Sequence, residues 1–131
     1  MARETPVPRP TDAELQILRV LWRAGPSTVR EVQASLAQAR ATGYTTVLKL
    51  LQIMTEKGLV EREDAGRAHI YRPRQTEEQA QGRLVTDLLD RVFGGSAQQL
   101  VLRALAARPA SSSELAEIRR LLDDLEGEQT E

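Results

Sequence analysis

One change of rhythm constrains this chain more than any other feature. Up to Gly58 the apolar residues recur at helical spacing. Beyond it they alternate, over Leu59-Val60-Glu61-Arg62-Glu63 and again over His69-Ile70-Tyr71-Arg72. A period of 3.6 builds a stripe on a helix and a period of two builds a face on a strand, so the switch marks helices giving way to a hairpin. Asp64-Ala65-Gly66-Arg67-Ala68 supplies turn residues between the two alternating runs, and Pro73 ends the second.

The helices upstream carry their own start and stop signals. Thr11 and Glu14 have the T-x-x-E spacing of a capping box, and Leu15, Ile17, Leu18, Val20, Leu21 and Trp22 follow as a stripe until Ala24-Gly25-Pro26. Thr28 and Glu31 form a second box ahead of Val29, Val32 and Leu36, and Gly43 is the next breaker. A third helix is predicted from Thr45 to about Lys57, closed by Gly58 in a left-handed cap. Three helices and a hairpin over residues 11–74 is the element order of a winged helix-turn-helix. The fold class expected is mainly α, with a β-hairpin wing.

Residues 75–131 read as helix only. Thr76 opens a segment with Leu84, Val85, Leu88, Leu89 and Val92; Gly94-Gly95 breaks it; Ser96 starts another, ended by Pro109. The Ser111–Ser113 cluster caps a last stripe of Leu115, Ile118, Leu121, Leu122 and Leu125. So small a helical segment buries little by itself, and its apolar faces need a partner. That partner is either the first domain or a second copy of the chain; the second copy is preferred, which makes this a dimerisation region. Residues 1–10, with three prolines and no periodicity, read as a disordered arm.

Charge separates the same two parts. The chain has 131 residues and a net charge of −1, but residues 1–74 hold 12 basic and 8 acidic side chains, whereas residues 75–131 hold 6 and 11. A basic part can meet a polyanion while an acidic part stays off it. With no cysteine, disulfides, thiolate metal sites and cysteine nucleophiles are excluded. The single histidine, His69, falls mid-strand, and neither a Gly-rich phosphate loop nor H-E-x-x-H occurs. Catalysis, a metal and a cofactor are therefore not expected. No apolar run reaches the roughly 18 residues of a membrane span, and no signal peptide is visible, so a cytoplasmic protein without membrane insertion is expected.

The third helix has two unlike faces. Val47, Leu50, Leu51 and Met54 point one way, and Thr45, Lys49 and Gln52 point the other. Hydroxyl, ammonium and amide groups on a helix after a short turn can donate to phosphates and base edges in a major groove of duplex DNA. Arg67, beside Gly66 at the hairpin tip and flanked by Arg62, Arg72 and Arg74, is placed to touch phosphates or enter the adjacent minor groove. Glu61, Glu63 and Asp64 weaken the field along the first strand. Two other readings fit the same residues: a winged helix that docks proteins, which calls for an apolar outer face, and a small-molecule-sensing repressor of another family, which calls for a cavity.

Thr11-x-x-Glu14-x-x-Ile17-Leu18-x-x-Leu21-Trp22, Tyr44-Thr45-Thr46-Val47 with Glu56-Lys57-Gly58-Leu59-Val60, and Gly66-Arg67-Ala68-His69-Ile70-Tyr71 together resemble the penicillinase-repressor family of the BlaI/MecI type. The resemblance spans residues 11 to about 125 and is strongest over 11–74. It implies a homodimeric repressor on a palindromic operator, with Tyr44 and Thr46 joining Thr45, Lys49, Gln52, Arg67, Arg72 and Arg74 in the DNA-binding set. It also implies, for many members, a membrane sensor metalloprotease pathway that starts induction through cleavage of the repressor. Two departures limit the carry-over. Copper-responsive members use cysteine clusters that this chain lacks. The Asn-Phe bond cut in β-lactam-responsive members has no counterpart here, where the alignable pair is Arg103-Ala104 and no asparagine occurs. Leu48 and Ile53 stand where some members have polar or basic groups.

Overall fold

The computed structural model describes residues 8–38 and 41–129, so the expected arm lies for the most part outside the described residues. The element order is α1 (Asp12–Ala24), α2 (Val29–Ala37), α3 (Tyr44–Lys57), β1 (Val60–Ala65), β2 (Ala68–Pro73), α4 (Glu77–Val92), α5 (Ala97–Ala107) and α6 (Ser112–Gln129). The chain divides into two compact units, Met1–Leu84 and Val85–Glu131, the first taking in the start of α4 as well as the winged helix.

In the first unit, both expected capping boxes form. The Glu14 and Thr11 backbone N–H groups donate to Thr11 Oγ1 and Glu14 Oε1 at 3.2 and 2.9 Å. Glu31 and Thr28 repeat the pattern at 3.2 and 2.8 Å. Each box satisfies amides that the helix leaves open, an effect of about 1 kcal/mol. α3 ends on Gly58 at φ 81°, with the Leu59 N–H reaching Met54 O at 2.9 Å and the Gly58 N–H reaching Thr55 O at 3.2 Å. That pair of bonds is a Schellman motif, and the buried Leu59 and Met54 provide its apolar contact.

The core of this unit joins Ile17, Leu18 and Leu21 of α1, Val29 and Val32 of α2, and Val47, Leu51 and Met54 of α3 to Leu59, Val60 and Tyr71. Leu15, Val20, Trp22, Leu36, Leu48 and Leu50 pack around it half-buried. Tyr71 ties the wing's base to the helices. Its N–H donates to Ser27 O at 2.8 Å, and its carbonyl accepts from the Ser27 N–H at 3.0 Å, so the α1–α2 connection pairs with the free edge of β2. Trp22 Nε1 donates to Gln75 O at 3.0 Å and holds the exit of the hairpin against α1.

The hairpin is tighter than the sequence predicts. β1 and β2 pair antiparallel from Val60↔Pro73 to Ala65↔Ala68, which leaves a turn of Gly66-Arg67 where five residues were expected. Gly66 has φ +66°, the positive value that the first central position of a II′ turn requires. With the turn reduced to two residues, Asp64 and His69 come into register and pair. Leu59, expected in the first strand, instead closes the α3 cap.

In the second unit, Ser96 Oγ caps α5 by accepting from the Gln99 N–H at 3.2 Å. Ser111 and Glu114 form a full capping box on α6 at 3.1 and 2.9 Å. The Ser111 hydrogen bonds hold the exposed Glu114 carboxyl below its ordinary value. None of the described residues of this unit is buried. Leu89, Leu115 and Ile118 are half-buried, whereas Val85, Leu88, Val92, Val101, Leu102, Leu121, Leu122 and Leu125 are exposed. Leu84, at the end of the first unit, is also half-buried.

Candidate nucleic-acid interface

Burial of Val47, Leu51 and Met54 fixes which side of α3 looks outward. Thr45, Lys49 and Gln52 are all exposed on that side, with Tyr44 and Thr46 exposed in the first turn. Glu56 continues the stripe one turn beyond Gln52 and is exposed too. It escaped the sequence reading although the spacing 45, 49, 52, 56 places it there. A carboxylate at that point accepts from a cytosine amino group and repels a phosphate.

The start of α3 differs from the starts of α1 and α2. Gly43 offers no side chain to its open amides, and no acidic residue occupies the first turn. Backbone donors and the positive end of the helix therefore face outward without a competing carboxylate. Arg30 of α2 lies across this end, its guanidinium carbon 5.5 Å from the centroid of the Tyr44 ring. The sequence reading missed Arg30, since only the packing of α2 on α3 brings residues 30 and 44 together.

α3 is held at its far end as well. Lys57 Nζ donates to both Glu14 carboxylate oxygens, at 2.9 and 3.0 Å, and Glu14 is almost wholly buried. Burial pushes the Glu14 carboxyl up, but the Thr11 N–H bond and the Lys57 ammonium, with Thr11 Oγ1, outweigh it and leave the carboxyl below its ordinary 4.5. The last turn of α3 is thus clamped to the first turn of α1.

On the wing the candidate cations fall into two groups. Arg67 is exposed at the tip, and among the described residues no carboxylate pairs with it. Arg72 Nη2 forms an ion pair with Glu63 Oε2, and Arg74 Nε lies 3.4 Å from Glu61 Oε1. The register produces both pairs, since residues 61, 63, 72 and 74 share one face of the hairpin. On the other face Asp64 takes both Arg62 Nε at 3.8 Å and His69 Nδ1 at 2.7 Å. Gln52, Thr55 and Glu56 of α3 face Arg62 and Tyr71 of the wing across an open cleft of about 450 Å³. This cleft joins the two elements proposed to grip a duplex.

His69, the residue on which a catalytic reading would have to rest, is half exposed on this hairpin and engaged with Asp64. Among the described residues, no three His, Asp or Glu side chains cluster as a metal-ligand set. Nor is any helix among them long and apolar enough to cross a membrane.

Fold and face define the class, a winged helix-turn-helix with a polar outer helix face and a basic wing tip. The family model for the penicillinase repressor matches residues 10–124, and the chain belongs to that family. Among its relatives, the transcriptional regulator BlaI of Mycobacterium tuberculosis is 33% identical over 116 residues, which cover 88% of this chain and 83% of the relative. The penicillinase repressor of Bacillus licheniformis is 25% identical over 118 residues, covering 90% and 92%. Among solved structures, the DNA-binding domain of the repressor BlaI superposes with a TM-score of 0.50 at 26% identity, over 56% of this chain and 90% of that one. A transcriptional regulator from Thermotoga maritima, at 17% identity and a TM-score of 0.51 over 89% and 74%, shares the fold.

Proposed function

We propose that this chain is a transcriptional repressor that binds a palindromic duplex operator as a homodimer. The observation that carries the reading is the outward face of α3, where Thr45, Lys49 and Gln52 stand exposed, together with a wing tip whose Arg67 is exposed and has no carboxylate partner among the described residues. An α-helix fits the major groove, where an amide and a hydroxyl discriminate base edges and an ammonium meets guanine or phosphate. The same face lacks the apolar patch that a protein-docking helix needs. Family membership supports repression, and the exposed leucines and valines of α4, α5 and α6 support dimerisation. Release through a membrane sensor metalloprotease would require a bond other than Asn-Phe in this chain.

Selection from a randomised duplex pool, followed by titration of the recovered sequence against salt, tests the reading. The expected product is a palindrome. Log affinity should fall with log salt at a slope of roughly −5 to −7, if each protomer neutralises about three or four phosphates. Recovery of no enriched sequence, or an affinity flat in salt, would overturn it.

A further inference from the structure

We propose that Arg30, braced on the ring of Tyr44, is a phosphate-binding residue on the α2 side of α3, distinct from the Thr45, Lys49, Gln52 and Arg67 set. The proposal rests on the duplex-binding reading above and adds a contact to it.

The local sequence leaves Arg30 few other roles. Val29 and Val32 of α2 are buried, which turns Arg30 outward into solvent. Its neighbour Glu31 turns its carboxylate toward the Thr28 N–H at 2.8 Å, closing the α2 capping box. Among the described residues, no carboxylate forms an ion pair with Arg30. Its partner is the Tyr44 ring, with the guanidinium carbon 5.5 Å from the centroid. An exposed cation on an aromatic face gains only about 0.5–1 kcal/mol, so the pair is a weak reason to pack α2 on α3. It is a better reason for the guanidinium to stay in one place.

A ring face offers no oxygen to the guanidinium, so the N–H fork that matches a phosphate remains open to one. Tyr44 is the first residue of α3 and is 41% exposed, so the pair stands at the end of the helix that would enter a major groove. A groove-bound helix has phosphates on both flanks. Arg30, on α2 beside the first turn of α3, would meet one of them. Stacking restricts the rotamers of a long side chain before the duplex arrives, which lowers the entropy lost on contact.

The test uses the full chain and two fluorescent duplexes of roughly 30 base pairs, about three helical turns, one of mixed sequence and one from the selected pool. Arg30→Gln should weaken both by a similar factor, roughly three- to tenfold. It should also make the slope of log affinity against log salt shallower by roughly 0.9 per protomer. Arg30→Lys keeps the charge and should keep the slope. Tyr44→Ala should weaken both duplexes with the slope retained. An Arg30→Gln chain that binds both duplexes like the parent overturns the proposal while leaving duplex binding intact. So does a chain that loses affinity at unchanged slope, which is the signature of packing. A parent chain that binds neither duplex overturns the underlying reading together with this one. The thermal midpoint of each variant separates a folding defect from a contact: Arg30→Lys with a parental midpoint and a shallower slope would also refute the assignment.

Discussion

At the scale of the residue, the Glu14–Lys57 pair shows how a capping residue does two jobs. Its carboxylate closes the α1 capping box and, from the same buried place, receives the ammonium at the end of α3. Because the folded state holds this carboxyl below 4.5, its contribution to stability is complete above that value and fades as pH falls through the lowered one. Glu14→Gln should therefore cost about 1–3 kcal/mol at neutral pH, since it leaves a half-buried ammonium without its counter-charge. The difference from the parent should shrink in urea titrations below pH 4.5. A difference constant down to strong acid would contradict the assignment. On the outward face of α3, Gln52→Ala or Thr45→Ala should cost about 1–3 kcal/mol at the selected duplex and blur discrimination, whereas Arg67→Ala should weaken all sequences alike. Competition binding with scrambled duplex separates the two outcomes.

At the scale of the element, the wing is a hairpin whose second-strand cations are already engaged. Arg72 and Arg74 face Glu63 and Glu61 across the register, so part of their charge is spent inside the wing rather than offered to phosphates. Exposed pairs of this kind add little to stability, typically about 0–1 kcal/mol. Glu61→Gln and Glu63→Gln should accordingly leave the thermal midpoint nearly unchanged and tighten binding to mixed-sequence duplex, more strongly at low salt. Unchanged or weaker binding would mean that Arg72 and Arg74 do not approach the duplex. The helices were legible because their signals are local: Thr11 to Glu14, Thr28 to Glu31 and the Gly58 terminator each act over a few residues. The hairpin was legible in kind but not in length, since nothing in Asp64-Ala65-Gly66-Arg67-Ala68 says which two residues turn until Gly66 takes its positive φ. The Ser27–Tyr71 bridge, the Glu14–Lys57 clamp and the Arg30–Tyr44 stack were not legible at all. Each is created by tertiary packing between segments that no periodicity relates, and the first two join residues more than forty positions apart.

At the scale of the whole molecule, the second unit poses a question that one copy of the chain does not answer. None of its described residues is buried, and Val92, Leu121 and Leu122 are each more than half exposed. The proposed dimer would cover these groups and convert the second half-site contact into an intramolecular event, raising avidity by about 10²–10⁴. Two-fold symmetry would then require half-sites about one helical turn apart, roughly 34 Å. Charge substitutions test this without removing any element. Leu88→Glu and Leu122→Glu alter side chains already 41% and 53% exposed, so a free protomer should tolerate them with little loss of stability. In a dimer they would bury unpaired carboxylates on both sides of the interface, which is strongly unfavourable. Sedimentation should show the parent as a dimer and the double variant as a folded monomer. Operator affinity should drop by the avidity factor, while binding to a single half-site should stay near the parent's monomer value. A double variant that sediments as a dimer would move the interface off α4 and α6. A monomeric variant with full operator affinity would separate repression from dimerisation.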